Sequence, residues 1–126
     1  MNPDTTLLIA LLLVAHYLGD YTPLSTPRML DAKVGKGPLW LIGAHAAIHA
    51  ALVTTAVLIV RPSAEAALTA AAVQLVTHFL IDFVKMRVTV SYASLQDPSQ
   101  GAFWSVFGAD QLAHMFVLLG IAVLVL

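Results

Sequence analysis

The sequence predicts an all-α, polytopic membrane protein: a bundle of four transmembrane helices built as a parallel duplication of a helical hairpin. Three observations lead there. Of 126 residues, 60% are hydrophobic and only 10% charged, against roughly 25% charged in ordinary soluble domains. The apolar residues gather in four stretches, 5–20, 39–60, 64–84 and 109–126. Finally, His16-Tyr17-Leu18-Gly19-Asp20-Tyr21 recurs as His78-Phe79-Leu80-Ile81-Asp82-Phe83, and His45/His49 has a looser counterpart in Asp110/His114. The spacing between the halves is nearly constant, so each half reads as one hairpin and residues 1–126 as one domain.

A spanning helix needs roughly 17–25 apolar residues, so 39–60 and 64–84 qualify easily and 5–20 and 109–126 sit near the lower limit. The first stretch follows Asp4 instead of basic residues, which argues for a retained helix over a cleaved signal peptide. Between the first two spans, Pro23, Pro27, Gly35, Gly37 and Pro38 punctuate a loop or broken interfacial segment that cannot be one continuous helix. Arg61-Pro62-Ser63 makes a tight hairpin turn. The third link, 85–108, is expected to be a long cytoplasmic loop or interfacial segment that folds over one end of the bundle as a lid. Within it Phe103, Trp104 and Phe107 suit an interfacial aromatic belt.

Lys and Arg divide unevenly between the links. Arg28, Lys33, Lys36, Lys85 and Arg87 fall in the first and third, and Arg61 alone in the second. Positive residues mark the cytoplasmic side, which places both termini outside the cytoplasm. A net charge of −1 offers no basic face to nucleic acid. With no cysteine, the chain has neither a disulfide framework nor a thiolate, and any metal must be held by nitrogen and oxygen.

All five histidines lie in apolar stretches, paired at four-residue spacing as His16/Asp20, His45/His49, His78/Asp82 and Asp110/His114. Four residues is slightly more than one helical turn, so each pair presents two ligand-type groups on one face. The predicted topology puts all four pairs in the cytoplasmic half; His45 and His49 lie about 9 and 15 Å along the second helix from Leu39. An ionisable group inside a span costs about 2.5–3.5 kcal/mol for Asp, Lys or Arg, so eight polar groups at one depth call for compensation. A divalent cation supplies it. Zinc leads, iron and manganese also fit, and the ligand set has room for one or two ions. Two other readings compete: interhelical hydrogen bonds and ion pairs that hold the bundle together, and bis-histidine haem, against which the carboxylates argue. Lys85 and Arg87 read as membrane-edge anchors before phosphate ligands. Gln111 reads as an interhelical contact before a ligand-orienting group, and Gln74 and Thr77 receive no role. The small residues Gly43, Ala44, Ala46, Ala47, Ala50 and Ala51 around the second pair allow close helix packing or a homo-oligomer contact.

Taken together and in order, the motifs HYLGD, HAAIH, HFLID with Lys85, and DQLAH resemble the DUF3307 family of small bacterial and phage membrane proteins over nearly the whole chain. The resemblance implies an architecture and a site at the same eight residues, but no reaction. The HxxxD elements are also similar to those of the YdjM-like membrane-bound proteins described as metal-dependent hydrolases. Family members tend to follow the first Asp with an aromatic residue and then Leu-Gln. Here the run is Tyr21-Thr22-Pro23-Leu24, so a substrate contact from that Gln is not expected.

The expected function is therefore metal-dependent hydrolysis of an ester, phosphoester or amide in a lipid or amphiphilic substrate. The histidines and two of the aspartates bind metal, and one aspartate, with Asp110 favoured, acts as general base. The alternatives are a carrier or channel for divalent ions or protons, and a metal-stabilised structural or regulatory subunit.

Overall fold

The computed structural model describes residues 2–126, all α-helical apart from links and one short 3₁₀ turn. Helix α1, Pro3–Asp20, begins where the Asn2 side chain accepts from the Asp4 amide at 3.0 Å, with Pro3 in the first turn; proline suits that position because its missing N–H would go unpaired anyway. Helix α2, Pro27–Lys33, starts the same way, with Thr26 Oγ1 accepting from the Met29 amide at 3.3 Å. It ends in a turn where Gly35 takes φ +80°, a conformation open to glycine without a Cβ penalty. Helix α3, Trp40–Val60, runs to Arg61-Pro62-Ser63. Ser63 then caps helix α4, Ala64–Ser91, through the Ala66 amide. A 3₁₀ turn, Ala93–Leu95, leads to helix α5, Gly101–Val125.

Helices α3, α4 and α5 are each long and apolar enough to cross a membrane. Their outer surface agrees: Ile59, Leu68, Val76, Phe116, Val123 and Leu124 are all exposed, while five histidines, Gln74, Asp82 and Asp110 are buried. An apolar exterior around a polar interior is the reverse of a water-soluble bundle and suits a hydrocarbon solvent.

The third link departs from expectation. Helix α4 continues seven residues past Val84 and α5 starts at Gly101, leaving only Tyr92–Gln100 between them. Lys85 and Arg87 end the apolar run without interrupting backbone hydrogen bonding; no proline occurs between Val84 and Pro98, so nothing stops the helix. At about 1.5 Å per residue α4 is about 42 Å long, more than the roughly 30 Å hydrocarbon core. The cover over the bundle end comes instead from the first link, where α2 packs on α3 and α4.

The interior has three layers. Near the termini, Leu8, Leu12, Val53, Val57, Ala70, Leu118, Ile121 and Val125 form an apolar core. Under α2, Ala32 packs with Leu41, Ile42 and Met86. The histidines and aspartates fill the space between. Arg61 lies at the far end, its guanidinium donating to the Leu126 carbonyl at 3.3 Å.

Candidate metal centre

Each pair sits where its helix can aim it inward. His16 and Asp20 occupy the last turn of α1, His45 and His49 the first half of α3, His78 and Asp82 the middle of α4, and Asp110 and His114 the middle of α5. An aspartate at a helix C-terminus opposes the helix dipole, so Asp20 is held there by its partners. Those partners are the other helices: α3 packs on both α1 and α4, and α5 on α4 and α1.

All eight residues meet. The His49 and His78 rings stack at 3.8 Å between centroids, His78 and His114 lie at 4.1 Å, His45 and His49 at 4.7 Å, and His16 stands 5.2 Å from His114 and 5.3 Å from His49. Asp20 Oδ1 is 3.0 Å from both His45 Nε2 and His49 Nε2. Asp82 Oδ1 is 3.4 Å from His114 Nε2, and Asp82 Oδ2 is 3.4 Å from His78 Nε2. Two groupings have ligand atoms close enough to share an ion: Asp20, His45, His49 and His78, and His78, Asp82 and His114. His16 and Asp110 lie outside both.

The donor set fits a divalent cation. Tetrahedral ligands about 2.0–2.1 Å from zinc are about 3.3–3.4 Å apart, close to the separations seen. Several buried atoms also lack any hydrogen-bond partner, namely His78 Nε2, His114 Nε2, both Asp82 oxygens and Asp110 Oδ1. Orphaned polar atoms this deep are costly unless something else engages them. The Gln74 amide stands 3.2 Å from His78 Nδ1, placed with its Nε2 toward the ring. With its oxygen turned to the ring it accepts the Nδ1–H, which leaves Nε2 a free lone pair toward Asp82; this is the usual support for a metal-binding imidazole.

The chain matches the profile of the family described as proteins of unknown function, DUF3307, over residues 7–126. It belongs to that family. No curated protein and no solved structure matches it.

In this DUF3307 chain, four further residues shape the centre. Lys33, at the end of α2, places its ammonium 3.3 Å from Asp82 Oδ2, 3.6 Å from Asp20 Oδ1 and 3.3 Å from His45 Nε2. Burial pulls this ammonium down, but Asp82, Asp20 and Asp110 outweigh it and hold it above its ordinary pKa. Gln111 ties two helices: Oε1 is 2.9 Å from His16 Nε2, and Nε2 donates to Asp20 Oδ2 at 3.2 Å and Asp110 Oδ2 at 3.1 Å. Lys85 donates to Asp110 Oδ2 at 3.4 Å and lies 5.1 Å from the centre of the Phe107 ring, so it is more than an edge anchor. Gly19 makes room: a Cβ there would lie 2.3–2.7 Å from ring atoms of His49.

Sequence reasoning counted Lys33 only as a topology charge. Nothing local separates it from Lys36, which is exposed; only the fold of α2 back onto α3 and α4 does. Gly19 carried a usable signal as the small residue inside HYLGD. Gln74 was readable too, one turn before His78 on the same face.

A cavity of about 200 Å³ reaches the centre between α1, α2 and α5, lined by Asp20, Tyr21, Lys33, Lys85 and Gln111 among others. A larger groove of about 400 Å³ runs along α4 and α5, with Leu80, Val84, Val88 and Val106 on its walls and Lys85 and Asp110 at its polar side.

Proposed function

We propose that this DUF3307 chain is a membrane-embedded, metal-dependent hydrolase whose His/Asp cluster holds a divalent cation, zinc first and iron or manganese by the same chemistry. The observation that carries the reading is the grouping of His78, Asp82 and His114, whose buried Nε2 atoms and Asp82 Oδ1 have no hydrogen-bond partner. A divalent cation bound there supplies Lewis acidity and brings the pKa of water towards about 7. The protein's own groups divide the rest of the work. Asp110, outside both ligand groupings and with Oδ1 free, accepts the proton of the attacking water. Gln111 and Lys85 fix its other oxygen.

In this account α1 crosses the bilayer beside the three longer helices, completing a four-span bundle. Both termini are extracytoplasmic, and the cluster faces the cytoplasmic leaflet of a bacterial inner membrane. Arg61 and Leu126 share one end, while the other five cationic residues belong to the links and helix ends around the cluster, as a positive-inside orientation requires. The duplicated-hairpin reading draws support from the pairing of α1 with α3 and of α4 with α5. The α4–α5 groove is of a size and polarity to take the chain of an amphiphilic substrate whose polar group reaches Asp110.

Transport is disfavoured by the far half of the bundle. The core from Leu8 and Val53 to Ile121 and Val125 is apolar, and an ion leaving the cluster meets the Thr54 hydroxyl but no buried ionisable side chain there among the described residues.

Elemental analysis of detergent-purified protein tests the proposal, with wild type beside Asp82→Asn and His114→Ala. Wild type retains metal through dialysis and each variant loses most of it; the metal-loaded wild type turns over ester, phosphoester or amide amphiphiles in micelles, and Asp110→Asn keeps metal but not turnover. Metal-free wild type overturns the metal reading. Metal with no turnover across those classes overturns the hydrolase reading, and ion flux in proteoliposomes replaces it with transport.

A further inference from the structure

The cluster contains two potential cation positions, and a side chain already stands in one of them. We propose that the Lys33 ammonium is a tethered second cation, filling the Asp20–His45 side of the cluster, and that the site consequently takes one divalent ion, at His78, Asp82 and His114. The inference rests on the metal-binding reading above and specifies its stoichiometry.

The contacts divide the cluster. Lys33 Nζ lies 3.6 Å from Asp20 Oδ1 and 3.3 Å from His45 Nε2, and both residues belong to the first grouping. Asp20 Oδ1 also has His45 Nε2 and His49 Nε2 at 3.0 Å. On that side the Nε2 and Oδ1 atoms that face the cation position are in use. In the second grouping they are not: His78 Nε2, Asp82 Oδ1 and His114 Nε2 have no hydrogen-bond partner. Asp82 joins the two sides, with Oδ2 3.3 Å from Lys33 and Oδ1 3.4 Å from His114.

Charge balance leads to the same count. Asp20, Asp82 and Asp110 face Lys33 and Lys85, so with neutral imidazoles the cluster carries a net −1. One divalent ion makes it +1, and a second would make it +3 in a buried site, where like charges are weakly screened. Without the Lys33 ammonium, two ions bring the total only to +2, and Asp20 and His45 are free to ligate. One imidazole, His78, belongs to both groupings.

Cobalt(II) titration of chelator-stripped protein in micelles, followed by d–d absorption, counts the ions. Wild type saturates at one equivalent per chain and Lys33→Met at two, while Lys33→Arg, which keeps the charge, stays at one. His114→Ala abolishes binding in the wild-type background but leaves one equivalent in the Lys33→Met background. Two equivalents in wild type, or one in Lys33→Met, overturns the Lys33 inference and leaves the metal reading standing. Absence of cobalt binding in both wild type and Lys33→Met overturns the metal reading itself. Lys33→Gln replaces Lys33→Met if the latter aggregates, and the wild-type count alone suffices to overturn the inference.

Discussion

Gly19→Ala perturbs the centre without touching a ligand. The added Cβ would lie 2.3 Å from Cε1 and 2.4 Å from Nε2 of His49, whereas non-bonded carbon atoms settle near about 3.5–4.0 Å. Something must move by more than about 1 Å. His49 has little room to move, since its ring stacks on His78 at 3.8 Å, meets His45 edge-on at 4.7 Å and faces His16 at 5.3 Å. Displacement therefore breaks the 3.0 Å contact between His49 Nε2 and Asp20. Overpacking of this kind costs about 1–3 kcal/mol of stability. Loss of a supporting contact lowers metal affinity about 10–100-fold. Chelator competition measures the affinity and thermal unfolding in micelles measures the stability. Gly43→Ala and Gly108→Ala are the controls. Nothing lies within 4 Å of a Cβ at either position, so each helical Gly→Ala change is stabilising by about 0.5–1 kcal/mol and leaves affinity alone. Wild-type affinity and stability in Gly19→Ala would refute the reasoning, because the steric cradle around His49 would then have no consequence.

Further expectations follow from the same contacts. Gln74→Leu removes the amide beside His78 Nδ1 and should weaken metal binding about 10–100-fold, with Gln74→Glu, which can only accept from Nδ1–H, closer to wild type in the same competition assay. Chelation should lower the unfolding temperature: metal at 100 times its dissociation constant contributes about 2.7 kcal/mol, so an unchanged transition on adding and removing zinc would contradict a metal-bearing native state. Gln111→Leu cuts the link from α5 to His16 and Asp20; it should destabilise the bundle by about 1–3 kcal/mol through the buried groups left unpaired, read by denaturation in mixed micelles. Reporter fusions at Leu126 and within Tyr92–Gln100 should report opposite sides of the membrane, and the same side for both would exclude the proposed topology.

What could be read from the chain was local, and what could not was relational. The apolar runs of α3, α4 and α5 are legible because each is a contiguous composition signal. The His/Asp pairs are legible because i, i+4 spacing is a property of one helix. The helix ends within residues 85–108 are not legible from hydropathy, because Lys85 and Arg87 end an apolar run but not helix α4, which continues to Ser91. Lys33 was missed for a different reason: its role exists only when α2 folds back over α3 and α4. Gln111 shows both sides at once. An amide in an apolar helix reads as an interhelical contact, but its partner His16 lies ninety-five positions away in the chain.

The sequence by itself determined that polar ligand-type groups would lie on single faces of apolar helices, since helical periodicity and composition need no partner to act. Tertiary structure alone decided that these faces converge on one centre and that Gly19 gives His49 its space. It also decided that an ammonium from a short loop helix stands among the carboxylates. The physical reason is that burial and ion pairing depend on distances between segments remote in the chain, and those distances arise only from packing.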